Sequence, residues 1–295
     1  LAMQQLETLL EGLFVSDARY RFRGQRLIKM VQIVVDTVVR QFQKGEFLPA
    51  AWELRFGGGG GLPPVRIPCP GGKEVELHGV IDRVDSFEKD GVQYVRVVDY
   101  KSGGRKWSQE ELRLGLRMQL AVYMDAVLSS GLGQDKVPAG MFYQQLMAPV
   151  VDRVVAEGDA EAQLSRRMRM QGLVLDDPSI IRAMDKNAGT SDVVNVSLKQ
   201  DGSVHPQSGG NVASGEGFLE LLRAGREVLR EKVSGILSGV TDISPVRLAA
   251  GDPPCAQCDY ASICRFDVRA GDRYRTPQGG AAQEREGEPD AALDE

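Results

Sequence analysis

The stretch that most restricts how this chain folds runs from Glu74 to Lys101, where apolar residues recur with period two. Glu74-Val-Glu-Leu-His-Gly-Val-Ile-Asp-Arg-Val-Asp85 reads as one strand or two short ones. Lys89-Asp90-Gly91 reads as a turn, and Gln93-Tyr-Val-Arg-Val-Val-Asp-Tyr-Lys101 as the returning strand. In an extended strand residues i and i+2 share a face, so Asp99 and Lys101 emerge side by side while Tyr100 points away. The turn folds the second strand beside the first and sets Asp82 across from Asp99. Charges on a strand otherwise built of Val95, Val97 and Val98 are costly to bury unless they serve one another or a metal. Two carboxylates offer hard oxygens to Mg²⁺ and leave waters on it. A neighbouring ammonium stabilises charge developing on a phosphorus centre, or helps activate the attacking water. A bare Asp-x-Lys tripeptide also arises as a strand-end ion pair. Here a second acid-bearing strand accompanies it.

The surrounding pattern is that of an α/β protein. A helix is expected from about Gln109 to Leu128, with Leu112, Leu116, Leu120, Tyr123 and Val127 on one stripe. Gln119 and Tyr123 are four apart on it, share a face, and can reach a phosphate or the lysine, although Tyr123 taken alone also suits a core. Residues 1–45 read as two helices broken at Ser16-Asp17, with a basic cluster of Arg19, Arg21, Arg23, Arg26 and Lys29. Ala51-Trp-Glu-Leu-Arg-Phe56 runs into Gly57–Gly61 and Pro63-Pro64, a stretch that reads as a flexible loop. Gly140–Leu146 is a further strand, and 153–215 is less regular, with a helix through Ser165–Arg169 and a hairpin at Asp201-Gly202. A long helix returns from Glu216 to Leu237. Residues 276–295 hold Leu293 as their single large hydrophobe and six acids against one arginine, so they are expected to be disordered. The expected organisation is one domain over 1–271, with a helical lead-in (1–50), a core (51–150), an insertion (151–215) and a closing helix with cysteines (216–267), then a tail (272–295).

A net charge of −5 over 295 residues excludes a basic arm that coats nucleic acid indiscriminately, though local charge still permits a nucleic-acid site. The groups best placed for phosphate are Arg19–Lys29 and Arg166, Arg167 and Arg169; each also reads as a solvated helical face. No apolar run suits a membrane span and no secretory signal opens the chain. The chain starts inside an amphipathic pattern without Met, which suggests an excerpt of something longer. Three of its four cysteines crowd into Cys255-x2-Cys258-x5-Cys264, a spacing for metal in a reducing compartment, hence the cytoplasm. Zinc and [4Fe–4S] both need about four ligands. The remaining cysteine, Cys69, sits in Ile67-Pro-Cys-Pro70, which reads as a strand lead-in. His78 and His205 have no sequence partners for a site, and no G-x-x-x-x-G-K-[ST] loop is present to hold a nucleotide.

Gly79-Val-Ile-Asp-Arg-Val-Asp85, Val97-Val-Asp-Tyr-Lys-Ser-Gly103 and Gln119-Leu-Ala-Val-Tyr123 together resemble motifs of the PD-(D/E)XK nuclease superfamily. With Pro138-Ala-Gly-Met-Phe-Tyr143 and the closing cysteines, the match narrows to the C-terminal nuclease domains of the B subunits of AddAB-type helicase–nucleases. The resemblance covers roughly residues 45–267. It implies a mixed central sheet flanked by helices and Mg²⁺-dependent cleavage of DNA phosphodiesters, with Mn²⁺ able to substitute. By position it implies Asp82 and Asp99 as metal ligands, Lys101 as the catalytic lysine, Gln119 and Tyr123 as the helical Q-x-x-x-Y pair, and the Tyr100 carbonyl facing the metal. Glu53 matches an upstream glutamate that many members carry on a helix. Asp85 takes a structural role. The resemblance also implies a [4Fe–4S] cluster held by Cys255, Cys258 and Cys264 with a fourth cysteine that precedes this stretch, single-stranded DNA from an unwound duplex as substrate, and an A-type helicase–nuclease subunit as partner. A stand-alone iron–sulfur exonuclease of the Cas4 type shares the same core, and a catalytically inactive DNA-binding or assembly module is the non-enzymatic alternative.

Overall fold

Six strands build the central sheet, and the crossover between two of them carries part of the site. The computed structural model describes residues 17–104, 106–130, 136–146, 157–248 and 254–275. They fall into two compact units divided between Ser234 and Gly235.

In the first unit, helix α1 (Ala18–Lys44) starts where the Asp17 side chain accepts from the Arg19 N–H, and stops at Gly45. The sheet contains β1 (Leu48–Phe56), β4 (Gly79–Lys89), β5 (Val92–Lys101), β6 (Lys136–Gln145), β7 (Gln171–Leu175) and β8 (Val212–Ala213), in the spatial order β1-β4-β5-β6-β7-β8. Pairing is antiparallel for β1–β4, β4–β5 and β6–β7 and parallel for β5–β6 and β7–β8. Two short strands, β2 (Val65–Pro68) and β3 (Glu74–Leu77), form a separate ribbon. The stretch from Glu74 thus divides into two strands at His78. The β4–β5 turn uses left-handed backbone at Asp90 (φ 53°) and Gly91 (φ 77°), the twist that a two-residue hairpin needs.

A parallel pair needs a crossover, and α2 (Gln109–Arg113) and α3 (Gln119–Leu128) supply it between β5 and β6. The leucine spacing predicts one helix here, but the structure breaks it between residues 114 and 118, with left-handed backbone at Gly115 (φ 79°) and Arg117 (φ 51°). Packing accounts for the break. A Cβ at Gly115 would come 2.9 Å from Val228 Cγ1 on α6 (Gly215–Leu237), so the chain presses backbone against that helix. Arg117 then turns back to pair with Glu111 at 3.1 Å.

Both faces of the sheet are covered, which makes β5 and β6 almost continuously apolar. One core takes Val95, Val97 and Met141 together with Leu120 and Met124 of α3 and Phe218 of α6. The other takes Val98, Phe142 and Val174 with Phe47 and with Ile180, Ile181 and Met184 of α5 (Pro178–Met184). Helix α4 (Glu157–Arg167) leads into β7, and a hairpin-like turn at Gly202 (φ 84°) joins Leu198 to Val204. The glycine run is a closed turn, with the Gly57 N–H donating to the Leu62 carbonyl and the Leu62 N–H to that of Arg55.

The second unit holds a 3₁₀ turn at Pro254–Gln257, helix α7 (Ala261–Cys264) and a 3₁₀ turn at Val268–Ala270. Phe266 and Tyr274 stack there at 4.6 Å, and Arg275 bridges to Val246. The expected helix before Ser16 and the acidic tail 276–295 lie outside the described residues. Among the described residues no helix is long and apolar enough to cross a membrane.

Candidate active site

The register of three adjacent strands lines up three acids. Trp52 pairs with Arg83 and Leu54 with Ile81, which puts Glu53 opposite Asp82. Arg83 pairs with Val98, so one step further along the same register Asp82 lies opposite Asp99. The β4–β5 ladder stops at that step. Instead of a carbonyl, the Tyr100 N–H meets the Asp82 carboxylate, at 2.7 Å. A strand residue's N–H and C=O point to the same edge, so the Tyr100 carbonyl faces the Asp82 side as well.

Strand alternation also breaks at this row. Ala51 and Leu54 of β1, with their partners Val84 and Ile81 of β4, all pack into one core although the members of each strand are three residues apart. A regular strand sends such residues to opposite faces. Between them Glu53 holds left-handed backbone (φ 48°), a strained conformation for a residue with a side chain. Glu53 is thus on an edge strand and not on the helix that the resemblance implied. The run Ala51–Phe56 pairs with β4, and its broken alternation hides that strand in the sequence.

Lys101 closes the site on the other side. Its Nζ lies 2.6 Å from Asp99 Oδ2 and donates to Gln119 Oε1 at 2.7 Å. Gln119 Nε2 in turn donates to the Tyr123 hydroxyl at 2.7 Å. The Asp99 carboxylate is almost fully buried, whereas a quarter of the Lys101 side chain stays open to solvent. Burial pushes the Tyr123 hydroxyl above the usual tyrosine range; the Gln119 bond opposes this, and the charges of Asp99, Asp82 and Glu53 add to it. That electrostatic reach ties Glu53 and Tyr123 to one site.

The opposite side of the same two strands holds a buried cluster. Arg83, Asp85 and Arg96 are each no more than 1% exposed. Asp85 takes Arg83 Nε at 3.0 Å and Arg96 Nε at 2.7 Å, one guanidinium on each oxygen. Arg83 also donates to the Tyr100 hydroxyl at 2.6 Å and lies over the Phe42 ring, while Arg96 lies over Phe47. Burial and the charge of Arg83 push Arg96 below the usual guanidinium value, with Asp85 opposing them. Sequence periodicity did not single out this cluster, because Arg83 and Arg96 meet only through cross-strand pairing.

The donor set suits Mg²⁺, which binds through one or two carboxylates and keeps several waters. Among the described residues no three His, Cys, Asp or Glu side chains, Glu53, Asp82 and Asp99 included, are gathered closely enough to hold a metal ion between them. The same holds for the cysteine turns, whose three thiols are not gathered around one point. Cys255 and Cys264 are half-buried and Cys258 is exposed, with the Cys258 N–H donating to the Cys255 carbonyl. They offer three thiols where a cluster needs about four. Cys69 is buried in the first unit's core, its Sγ against the Ile67 carbonyl at 3.5 Å.

Of the basic groups, Arg19, Arg21, Arg23, Arg26 and Lys29 are exposed along α1. Arg166, Arg167 and Arg169 line a cleft with Tyr143 and Gln145, the β6 partners of Asp99 and Lys101. His78 stands 3.4 Å from Glu76 beside the glycine turn, and His205 caps a 3₁₀ turn.

The chain is similar in sequence to known proteins. Curated relatives named as the B-type subunit of an ATP-dependent helicase/deoxyribonuclease come from Alkaliphilus metalliredigens (36% identical over 265 residues), Clostridioides difficile (35% over 261) and Thermoanaerobacter sp. (32% over 275). These alignments cover 87%, 85% and 91% of the chain but 22%, 22% and 24% of the relatives, so the chain spans about a quarter of their length. The family model described as the PD-(D/E)XK nuclease superfamily matches residues 2–265, across both the sheet and the cysteine turns. With its acids in one register and its lysine anchored to the crossover helix, the chain belongs to the PD-(D/E)XK nuclease superfamily.

Proposed function

We propose that this chain is the nuclease part of a helicase–nuclease, cutting the phosphodiester bonds of single-stranded DNA released by unwinding. The observation that supports it most is the junction of the Glu53–Asp82–Asp99 row with a lysine held by both Asp99 and Gln119. Asp82, Asp99 and the Tyr100 carbonyl, with Glu53, would hold Mg²⁺ or Mn²⁺. The metal, when bound, supplies Lewis-acid stabilisation of charge on the phosphoryl oxygens. Lys101 orients the attacking water and donates to the oxygen that gains charge as the water oxygen bonds to phosphorus and releases a proton to solvent, while the P–O bond to the leaving strand breaks and its oxygen takes a proton from solvent. Asp99 directs the Lys101 ammonium, and Gln119 removes its freedom to swing away. Tyr123 fixes the Gln119 amide through its hydroxyl.

The cysteines would hold a [4Fe–4S] cluster that gains its fourth ligand from outside this chain. The relatives are subunits of helicase/deoxyribonucleases. On that basis the whole protein would pair with an A-type helicase–nuclease subunit and process double-strand breaks in the cytoplasm.

The test is incubation of the chain with labelled single-stranded DNA in Mg²⁺, in Mn²⁺ and in EDTA, beside Asp99→Ala. Metal-dependent cutting that the variant loses supports the reading. Cutting by a clean Asp99→Ala preparation, or a folded wild type that binds metal and leaves DNA intact, overturns it.

A further inference from the structure

We infer that the cleft between β6, β7 and the end of α4 is a phosphate track that grips the DNA strand beside the scissile bond. This rests on the nuclease reading and adds to it where the strand lies. The cleft has a volume of about 350 Å³, with Lys106, Arg166, Arg167 and Arg169 around it. Its floor continues the catalytic face of the sheet. Asp99 pairs with Tyr143 and Tyr143 with Gln171, while Lys101 pairs with Gln145. Residues opposite one another in paired strands share a face, so Tyr143, Gln145 and Gln171 extend the face of Asp99 and Lys101. At Gly104 the backbone passes close to this floor, since a Cβ there would come 3.2 Å from Gln145 Oε1.

The cleft lacks acids and contains a donor without a partner. Among the described residues no Asp or Glu lines it, although the chain as a whole is acidic. Arg169 Nε is buried and has no hydrogen-bond partner. Set among three other cations at the cleft, this unpaired donor favours an acceptor that carries negative charge. A phosphate oxygen suits it, because guanidinium and phosphate match in both charge and shape. Two strand spacings separate Gln171 from Asp99, about 10 Å at ~4.8 Å each. A stacked strand at ~3.4 Å per nucleotide covers that distance in about three nucleotides. The arginines therefore hold a phosphate a few nucleotides from the one that is cut, and they read no base. The ligand class is a single-stranded polynucleotide of any sequence.

The test measures binding of labelled oligothymidylate to the full chain in EDTA, where nothing is cut, over a range of salt. Arg169→Gln, and Arg166→Gln with Arg167→Gln, are expected to weaken binding roughly fivefold to a hundredfold and to lower the salt slope by about one per lost phosphate contact. Arg169→Lys restores the slope and only part of the affinity. In a second arm, oligonucleotides carry one neutral methylphosphonate at successive positions from the cleavage site. One position about three nucleotides away should weaken wild type but add nothing to the Arg169→Gln defect, a coincidence that a merely structural arginine would not produce. Variants that keep wild-type affinity and slope while wild type still cuts overturn the track alone. The same holds if every methylphosphonate position is equivalent. A wild type that neither binds nor cuts overturns the nuclease reading and the track with it.

Discussion

Strands β4 and β5 carry two sets of charged residues, and the two sets are solved in opposite ways. At the open end, Asp82 and Lys101 stay partly exposed beside the nearly buried Asp99 carboxylate. Behind them, Arg83, Asp85 and Arg96 are sealed from solvent, with both Asp85 oxygens engaged by guanidinium groups. The buried cluster is held by charge pairing more than by hydrogen bonds, since Arg83 Nε, Asp85 Oδ1 and Arg96 Nη1 make none. Charge in a strand therefore says little by itself about chemistry.

The comparison breaks most visibly at Asp99. Asp99→Asn should reduce cleavage by about 10²–10³-fold, since it would remove the proposed metal-ligating charge and the partner of Lys101, with the melting temperature almost unchanged. Single-turnover cleavage beside thermal unfolding checks it. Asp85→Asn should do the reverse. It leaves two buried guanidinium groups without a counter-charge, a loss of about 3–5 kcal/mol read by denaturant unfolding, with cleavage per folded molecule largely kept. Glu53→Gly joins the two halves of the comparison. Glycine accepts the left-handed backbone, so stability should rise by about 1 kcal/mol while cutting falls as the upstream carboxylate is lost. A Glu53→Gly chain that is both less stable and fully active would sink the strain argument. The smallest effect is expected at Tyr123. Its hydroxyl is held neutral beyond the ordinary tyrosine range, so the folded state binds the proton more tightly than the unfolded one. Stability is therefore unaffected by this group below the unfolded value near pH 10, and is lost as pH rises from there through the higher folded value. Tyr123→Phe should cost a few-fold in rate with an unchanged pH profile below about pH 10, and should remove that alkaline loss of stability. Cleavage rates and thermal unfolding across that range check both.

Much of the site was legible because it is local. The period-two runs, the Lys89-Asp90-Gly91 turn and the spacing of Gln119 and Tyr123 are short-range signals, and each group meets its partner where those signals put it. What escaped is what depends on contacts between distant segments. Glu53 sits in a strand whose alternation fails at that residue, so no periodic pattern marks it. The break after α2 depends on Val228, more than a hundred positions away, pressing on Gly115. The arginine pair around Asp85 looked like two charges in two strands, because only the register brings Arg83 and Arg96 to the same carboxylate.

The acid row has a consequence for how the gene tolerates change in length. Asp82 meets Asp99 through a two-residue turn, so a codon gained or lost on either side of that turn moves one acid to the wrong face of the sheet. Asp82 meets Glu53 across a long excursion through the glycine turn, β2 and β3, where the pairing of Phe56 with Gly79 and not the connection's length sets the alignment. Extra residues between 57 and 64 should pass almost unnoticed, while a single one between Arg83 and Val98 should silence the site as thoroughly as the loss of Asp99. The catalytic geometry is written in spacing on one side of Asp82 and in packing on the other.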